Sequence, residues 1–305
     1  MASRRPKTIP SHTYKRTSNP NIFRFIDRRG DWTHYWIKSE KIFVPAVNHI
    51  IRTGYPKGER FYQYLLHANP AEAEKKLLTA GEEGTRTHSA IRDLIWGKTV
   101  SLETKYPNDL TGKWESLSPE EWHNIEAFAA WCSKYDPHVL LSEEPIWSRA
   151  HGYAGTIDFV GTIQVPPDDK AFPTEVRGTR ILILIDWKTS SGIWEEYELQ
   201  TAAYRTAALV CHDDILPIKE YGGLWTGVVR LGTAHKQGFE MKGWSPEESE
   251  GNFYLFAAAY AIYVRKFGPE FVSELKNIPA EFTIKMPPIK PPKNERARTK
   301  NKKKS

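Results

Sequence analysis

The sequence predicts a fold of strands with flanking helices, α/β or α+β, and two observations support this prediction. Predicted strands lie at 139–147, 153–165 and 179–188, and the third contains five consecutive aliphatic residues, Ile181 to Ile185. An aliphatic run without polar alternation is typical of a strand that is buried on both faces. Helical patterns precede and follow these strands, so we expect a central sheet between helices.

Composition supports a globular protein and excludes several classes. The 305 residues suffice for one large domain, or one domain plus arms, and 40% of them are hydrophobic. No apolar run reaches the roughly 18 residues that span a bilayer, and the N-terminus lacks a secretory apolar segment. Two cysteines, Cys132 and Cys211, fit a reducing compartment. We expect an intracellular location, in a bacterium or phage-infected cell; the Arg-rich N-terminus leaves the mitochondrial matrix as the second alternative.

Charge is concentrated at the C-terminus. Residues 290–305 contain eight Lys or Arg and one acid, Glu295, so they carry +7 in a chain whose net charge is +6. With four prolines at 287–292, the segment 286–305 is predicted to be a disordered basic tail. It is either a solubilising tail or an arm that binds phosphates. Residues 1–29 are predicted to be a flexible basic arm.

The region 30–136 is predicted to be helical. Short helices are expected over 30–66, a longer helix over 70–97 with a break near Gly81 and Gly84, and a third helix after Ser118. For the third helix, Ser118 is the N-cap, Pro119 follows at the first helical position, and Glu121 completes a capping box. Aromatic residues among basic ones at 30–66 suit either base stacking along a single strand or a helical lid. These residues are Trp32, Trp36, Tyr55, Phe61 and Tyr62.

The region 137–285 contains the predicted sheet and the unusual end of its third strand. A helix is expected at 195–211, a hairpin from 221–231 with 237–243, and a long helix at 246–267. The aliphatic strand ends in Asp186, Trp187 and Lys188, although burying an unpaired charge costs several kcal/mol. Because residues two apart on a strand share a side, Asp186 and Lys188 face the same way.

A second carboxylate lies in the neighbouring strand, where Asp158 follows Ile157 in "GTIDFVG". A lone buried Asp is commonly a turn or capping residue. If the two strands pair, however, Asp158 reaches the face of Asp186, and the two carboxylates raise each other's pKa unless a cation separates them. Mg²⁺ binds to one or two carboxylates together with waters and substrate phosphate, so the strand end is a candidate metal site.

These motifs resemble the PD-(D/E)xK nuclease superfamily, and its RecB-like exonuclease branch in particular. Asp158 matches the first acidic motif, and Asp186 with Lys188 matches the D-x-K motif. The branch also has a Q-x-x-x-Y motif, matched by "QTAAY", and a helix-borne histidine, matched in "EGTRTH". The residues in those two motifs are Gln200, Tyr204 and His88, and Glu143 or Glu144 fits an upstream strand glutamate. The resemblance spans residues 40 to 267.

The resemblance implies a restriction-endonuclease-like core at 137–285 and a set of roles. The implied metal ligands are His88, Asp158, Asp186 and the backbone carbonyl of Trp187. Lys188 would position the attacking water, with Asp158, Asp186 and Glu143 as the other catalytic residues. Gln200 and Tyr204 would brace the helix on the sheet, with contact to DNA or Lys188. By spacing alone, His88 could equally be a core histidine beside Ile91 and Ile95.

The implied function is a metal-dependent DNA nuclease, an exonuclease on single-stranded ends in replication, recombination or repair. The cofactor would be Mg²⁺ or Mn²⁺. An iron–sulfur cluster of the kind found in part of this branch needs four cysteines, and the chain has two. The stretch "IDWKTS" is more similar to the cluster-free members, which include phage exonucleases and the mitochondrial genome-maintenance exonuclease. No G-x-x-x-x-G-K-[ST] motif is present, so a helicase, recombinase or single-strand-binding partner would be a separate chain, and no membrane is expected. The alternatives are a non-catalytic DNA-binding or packaging subunit and a structure-selective endonuclease.

Overall fold

The computed structural model describes residues 14–16, 19–27, 32–58, 69–232 and 237–276. The predicted basic tail at 286–305 and most of the predicted N-terminal arm lie outside the described residues. Within these ranges, no helix combines the length and apolar character needed to cross a membrane.

The N-terminal part of the described chain is an antiparallel sheet of four strands in sequential order. Its strands are β1 (Tyr14–Arg16), β2 (Ile22–Asp27), β3 (Trp32–Ile37) and β4 (Ile42–Pro45). The predictions of a flexible arm and of short helices are therefore wrong for these residues. Aromatic and β-branched residues favour strands, and Ile22, Tyr35 and Ile37 are buried together in a small core.

Two helices and a hairpin follow this sheet, and a third helix leads into the central sheet. They are α1 (Val47–Gly54), α2 (Pro70–Ile95), β5 (Lys105–Asn108), β6 (Lys113–Ser116) and α3 (Pro119–Tyr135). The predicted capping box of α3 is confirmed: Ser118 Oγ accepts from the Glu121 N–H at 3.2 Å, and the Glu121 carboxylate accepts from the Ser118 N–H at 2.6 Å. The predicted break in α2 is wrong, because the helix is continuous through Gly81 and Gly84.

The central sheet has five strands and two further helices. These elements are β7 (His138–Ser148), β8 (Tyr153–Gln164), β9 (Arg180–Lys188), α4 (Glu196–Cys211), β10 (Trp225–Leu231), β11 (Phe239–Trp244) and α5 (Pro246–Lys276). The strand order is β11-β10-β9-β8-β7, antiparallel except for the β9–β10 pair, which α4 connects. The protein is thus α/β with a mixed sheet. The first hairpin strand begins later than predicted, at Trp225, after Gly222 and Gly223, which both have positive φ.

Strand β9 separates two hydrophobic cores, as its aliphatic run predicts. On one face Ile183, Ile185 and Trp187 pack with the α3 side chains of Phe128 and Trp131. On the other face the apolar residues of β9 pack with α1, α4 and α5. The buried members of this second core from β9, α4 and α5 are Leu182, Leu184, Leu199, Ala203, Tyr204, Ala207, Ala208, Phe256 and Tyr263. Burial on both faces fixes the position of β9 and, with it, the polar residues at its end.

Candidate functional site

The candidate site lies where β8 and β9 diverge. Their paired residues end at Phe159 with Ile185, whereas β9 remains paired with β10 as far as Lys188. One position further in the same register, Asp158 lies opposite Asp186. The β7–β8 register in turn puts Glu143 opposite Asp158, between two regular pairs. Three carboxylates therefore form a row across three adjacent strands.

The backbone is irregular at this row. Glu143 has φ of +53°, a left-handed conformation that costs a non-glycine residue of order 1–3 kcal/mol. The regular alternation of side chains along β8 also ends here. Ile157 and Phe159 are two residues apart and would share one face of a regular strand, but they pack in opposite hydrophobic cores. With these irregularities, both Glu143 and Asp158 line the same pocket as Asp186. Glu143, and not Glu144, is the glutamate of the pair in "LLSEEPIW" that lines it.

His88 connects α2 to this row. Its Nε2 donates to the Trp187 carbonyl at 3.1 Å, and its Nδ1 lies 3.4 Å from Asp158 Oδ1 and 3.8 Å from Glu143 Oε1. The Trp187 N–H donates to Asp158 Oδ2 at 2.9 Å. Because β8 has already diverged, side chains bond both backbone groups of Trp187 in place of a neighbouring strand.

Lys188 and Asp186 form a buried ion pair that Gln200 holds from α4. Lys188 Nζ lies 2.5 Å from Asp186 Oδ2 and donates to Gln200 Oε1 at 3.1 Å. The amide nitrogen of Gln200 donates to Asp186 Oδ1 at 2.8 Å and to the Tyr204 hydroxyl at 3.2 Å. The predicted shared face of Asp186 and Lys188 is confirmed. Of the two partners that the sequence suggests for Gln200, DNA and Lys188, the structure shows the contact with Lys188.

The acid row strongly perturbs the pKa of His88 and Glu143. Burial on its own lowers the pKa of His88, but the carboxylates of Asp158, Glu143 and Asp186 outweigh burial and raise it to about 9. Burial and the neighbouring Asp158 raise the pKa of Glu143 to about 7, although His88 opposes this. The imidazolium of His88 therefore neutralises part of the negative charge of the carboxylate row.

The pKa values of the other three groups, Asp158, Asp186 and Lys188, shift in different directions. Burial disfavours the Asp158 carboxylate, but His88, Lys188 and the Trp187 N–H together hold its pKa below the ordinary value. Burial raises the pKa of Asp186 to about 6 despite its pairing with Lys188. Burial opposes the charge of Lys188, but Asp186 outweighs burial and raises the pKa of Lys188 above its ordinary value. Lys188 is therefore an ammonium donor at neutral pH.

The donor set fits a divalent metal. One ligand atom each from His88, Glu143 and Asp158 lies within 4.8 Å of the other two. One imidazole and two carboxylates suit Mg²⁺ or Mn²⁺, and the nitrogen favours Mn²⁺ relative to an all-oxygen site. Asp186 and the Trp187 carbonyl, the other predicted ligands, line the same pocket, with Asp186 bonded to Lys188 and Gln200.

The pocket above the row has a volume of about 640 Å³ and includes residues that the motifs did not indicate. Helix α2 forms one wall, and the N-terminal sheet with α1 forms another. Arg24, Arg52 and Arg92 line these walls. Arg92 follows His88 by one helical turn, so helical spacing could have indicated it. Arg24 and Arg52 are distant in sequence from every motif, and no local signal marks them.

The aromatic residues considered for base stacking have other contacts where they are described. The Trp36 ring packs on Phe43 with centroids 4.8 Å apart, and the Tyr55 hydroxyl donates to Glu195 at 3.2 Å. Neither Trp36 nor Tyr55 is among the residues that line the pocket. The Trp32 side chain, Phe61 and Tyr62 lie outside the described part of the chain, so stacking by these residues stays a prediction.

Comparison with known proteins adds no assignment to this geometry. No protein-family model matches the chain, and no curated protein matches it. The function must therefore be argued from the site itself.

Proposed function

We propose that the protein is a metal-dependent deoxyribonuclease with a restriction-endonuclease-like core of the PD-(D/E)xK superfamily. One observation carries the proposal: three carboxylates form a row where two strands diverge, with an imidazole on one side and a lysine two residues beyond the last acid. The register of β7, β8 and β9 and the contacts of His88 and Lys188 support it. Three neighbouring carboxylates in buried surroundings repel one another, and a bound cation would relieve that repulsion.

The residues suited to hold the metal are His88, Glu143 and Asp158, with Asp186 and the Trp187 carbonyl as further oxygen donors in the pocket. A divalent ion bound there would lower the pKa of a water ligand and neutralise charge on a phosphodiester. Binding requires His88 to lose its proton, so His88 changes from imidazolium to neutral ligand as the site loads.

In this proposal Lys188 donates hydrogen bonds as an ammonium group and does not act as a general base. Its raised pKa keeps it an ammonium beside Asp186, and Gln200 fixes the orientation of both groups. An ammonium held in this way orients the attacking water and stabilises the negative charge that develops on the phosphate in the transition state. Tyr204 supports Gln200 from the next turn of α4.

The shape and charge of the pocket support single-stranded DNA as the substrate. Walls on two sides, from α2 and from the N-terminal sheet with α1, suit one flexible strand better than a rigid duplex. The arginines of those walls supply the positive charge that binds a nucleic-acid backbone. Action on strand ends, and cooperation with a separate helicase, recombinase or single-strand-binding protein, belong to the same proposal.

Incubation of the protein with end-labelled linear or circular single-stranded DNA tests this function. Reactions would contain Mg²⁺, Mn²⁺ or excess chelator, with Lys188→Met as the matched control. We expect the linear strand to be degraded with either metal, and no cleavage with chelator or with the variant. Equal cleavage of the circle would indicate an endonuclease. Binding without cleavage under every condition would contradict the proposal and favour a non-catalytic DNA-binding subunit.

A further inference from the structure

Three arginines surround the carboxylate row from three different elements. Arg24 comes from β2, Arg52 from α1 and Arg92 from α2, and all three line the pocket that contains the row. With Lys188, the pocket has four basic side chains of Lys and Arg against three carboxylates. Its formal charge is therefore +1, histidines aside, and +3 with a divalent ion. A pocket of that charge selects an anionic ligand that extends beyond the metal.

Arg24 is the least expected of the three. In the sheet register it lies opposite Tyr35, two residues from the buried pair of Ile22 and Ile37, so it occupies the core-facing side of β2. Its Nε is buried, and no described residue accepts a hydrogen bond from it. A buried donor without an acceptor is destabilising, and a ligand oxygen in the pocket would remove that penalty.

Arg92 lies on the opposite wall, at one end of the stretch of α2 that faces the pocket. The pocket-lining positions of α2 begin at Ala80, and all of them except His88 and Arg92 have small side chains or none. They are Ala80, Gly81, Gly84, Thr85, His88, Ser89 and Arg92. At 1.5 Å per residue, the lined stretch is about 18 Å long, more than a single phosphate requires.

Arg24 and Arg92 are both close enough to act electrostatically on the Glu143 carboxylate. Both also line the pocket that contains the row, although β2 and α2 belong to different parts of the chain. Guanidinium groups bind phosphate oxygens through paired hydrogen bonds, which gives them geometric preference as well as charge.

We propose that Arg24, Arg52 and Arg92 form a phosphate subsite, which binds a backbone phosphate adjoining the one at the carboxylate row. This inference rests on the proposed nuclease function, because it requires a strand to cross the pocket. It adds a second anchoring point, separate from the metal donors, that holds the strand in register for each cleavage.

Binding of single-stranded oligonucleotides that carry one neutral methylphosphonate linkage, moved along the strand, tests the subsite. Ca²⁺ replaces Mg²⁺ so that binding is measured without cleavage. In the wild type, we expect one or two neutral positions to weaken binding about tenfold. Arg24→Met and Arg92→Met should each weaken binding of the fully charged strand about tenfold and abolish sensitivity to those positions. Each lost contact should also flatten the salt dependence of log K by about 0.7.

Arg149→Met is the matched control, because Arg149 is a surface residue, 75% exposed, that pairs with Glu40 outside the pocket. It should leave the neutral-linkage profile unchanged. Thermal melting shows whether Arg24→Met folds. If it does not fold, Arg24→Lys replaces it, because this variant keeps the positive charge on the core-facing side of β2. Arg92 is exposed, so Arg92→Met tests the same point without that risk.

The subsite is wrong if the neutral positions matter equally in the wild type and in both arginine variants, or if the wild type binds no strand. Failure of the proposed function has a different signature. In that case the wild type would still show the position-dependent binding profile but would not cleave the linear strand with Mg²⁺ or Mn²⁺.

Discussion

Helix α2 contributes to two clusters of charge only two residues apart, and their carboxylates are satisfied to different extents. In the first cluster, Arg86 Nε lies 2.8 Å from Glu121 Oε1 and Arg86 Nη1 lies 3.1 Å from Glu115 Oε2. Other groups of the protein also donate hydrogen bonds to these two carboxylates. The donors are the Ser118 N–H, Asn108 Nδ2 and Thr111 Oγ1. Each carboxylate of this cluster therefore has both a cation and a hydrogen-bond donor from the protein itself.

The second cluster, around His88, is incomplete by the same criterion. The cations within ion-pair distance of Glu143, Asp158 and Asp186 are one lysine and one histidine, and no described residue donates a hydrogen bond to Glu143. The cluster also opens onto a pocket. Burial of charge alone therefore does not distinguish a functional site from a structural one. A carboxylate that no described residue bonds, beside an open cavity, does.

The largest expected difference between the clusters is in catalysis. Lys188→Met should reduce cleavage about 10³-fold at saturating metal and DNA, because it removes a donor to the transition state. Initial rates on labelled single-stranded DNA would measure this, and Lys98→Met, at an exposed ion pair with Asp93, is the control. If Lys188→Met kept the wild-type rate, the chemistry would have to occur elsewhere.

The first cluster should contribute mainly to stability. Arg86→Met should lower the free energy of unfolding by about 3 kcal/mol, because it leaves the buried Glu121 carboxylate without its cation. Urea denaturation measures the effect, and Arg149→Met should change stability by less than about 0.5 kcal/mol. A loss below about 1 kcal/mol for Arg86→Met would mean that this ion pair does not secure α2 to α3.

The incomplete cluster should make metal binding depend on pH. The pKa of His88 is raised to about 9, so the imidazolium stabilises the metal-free fold fully below about pH 6.5, and this stability is lost as pH rises through 9. Metal binding requires the neutral ring, so affinity should rise up to about tenfold per pH unit across this window. Thermal melts with and without Mn²⁺ would test this, because the Mn²⁺-induced increase in Tm should grow with pH. In His88→Asn, most of that growth should disappear.

The smallest expected effect is on the free energy of unfolding, when one carboxylate of each cluster is replaced by an amide. Glu143→Gln should stabilise the metal-free protein by about 1 kcal/mol, because it removes a buried charge beside Asp158, while it weakens Mn²⁺ binding. Glu121→Gln should destabilise the protein, because Glu121 is paired with Arg86 and accepts from the Ser118 N–H. Chemical denaturation in chelator measures both variants. If both substitutions changed the free energy of unfolding in the same direction, the proposed difference between the two clusters would be wrong.

Local sequence patterns predicted the elements whose signals are local. The aliphatic run predicted β9 and its burial on both faces, and the spacing of Asp186 and Lys188 predicted their shared side. The capping box at Ser118 predicted the start of α3, and the pair of Gln200 and Tyr204 was expected one turn apart on a helix. Each of these depends on a period of two or 3.6 residues, or on a turn of backbone, which neighbouring residues determine.

Local patterns failed where a residue's environment comes from distant parts of the chain. The N-terminal strands need their partners in the sheet, and Ala154 of β8, to bury Ile22, Tyr35 and Ile37. Gly84 would weaken an isolated helix, but in α2 it approaches Thr189, where a Cβ would lie 3.3 Å from the hydroxyl oxygen. Packing along a 26-residue helix outweighs the intrinsic preference of two glycines.

Local sequence defines the chemical groups of this protein and, wherever a strand or helix is regular, the side on which each group lies. Which of these groups meet depends on how the elements pack. Divergence of β8 from β9 exposes the Trp187 backbone to Asp158 and His88, and the β7 register selects Glu143 over Glu144. Arg24 reaches the pocket because the N-terminal sheet packs beside β8. Strand register and packing join residues far apart in sequence, and no local spacing encodes such contacts.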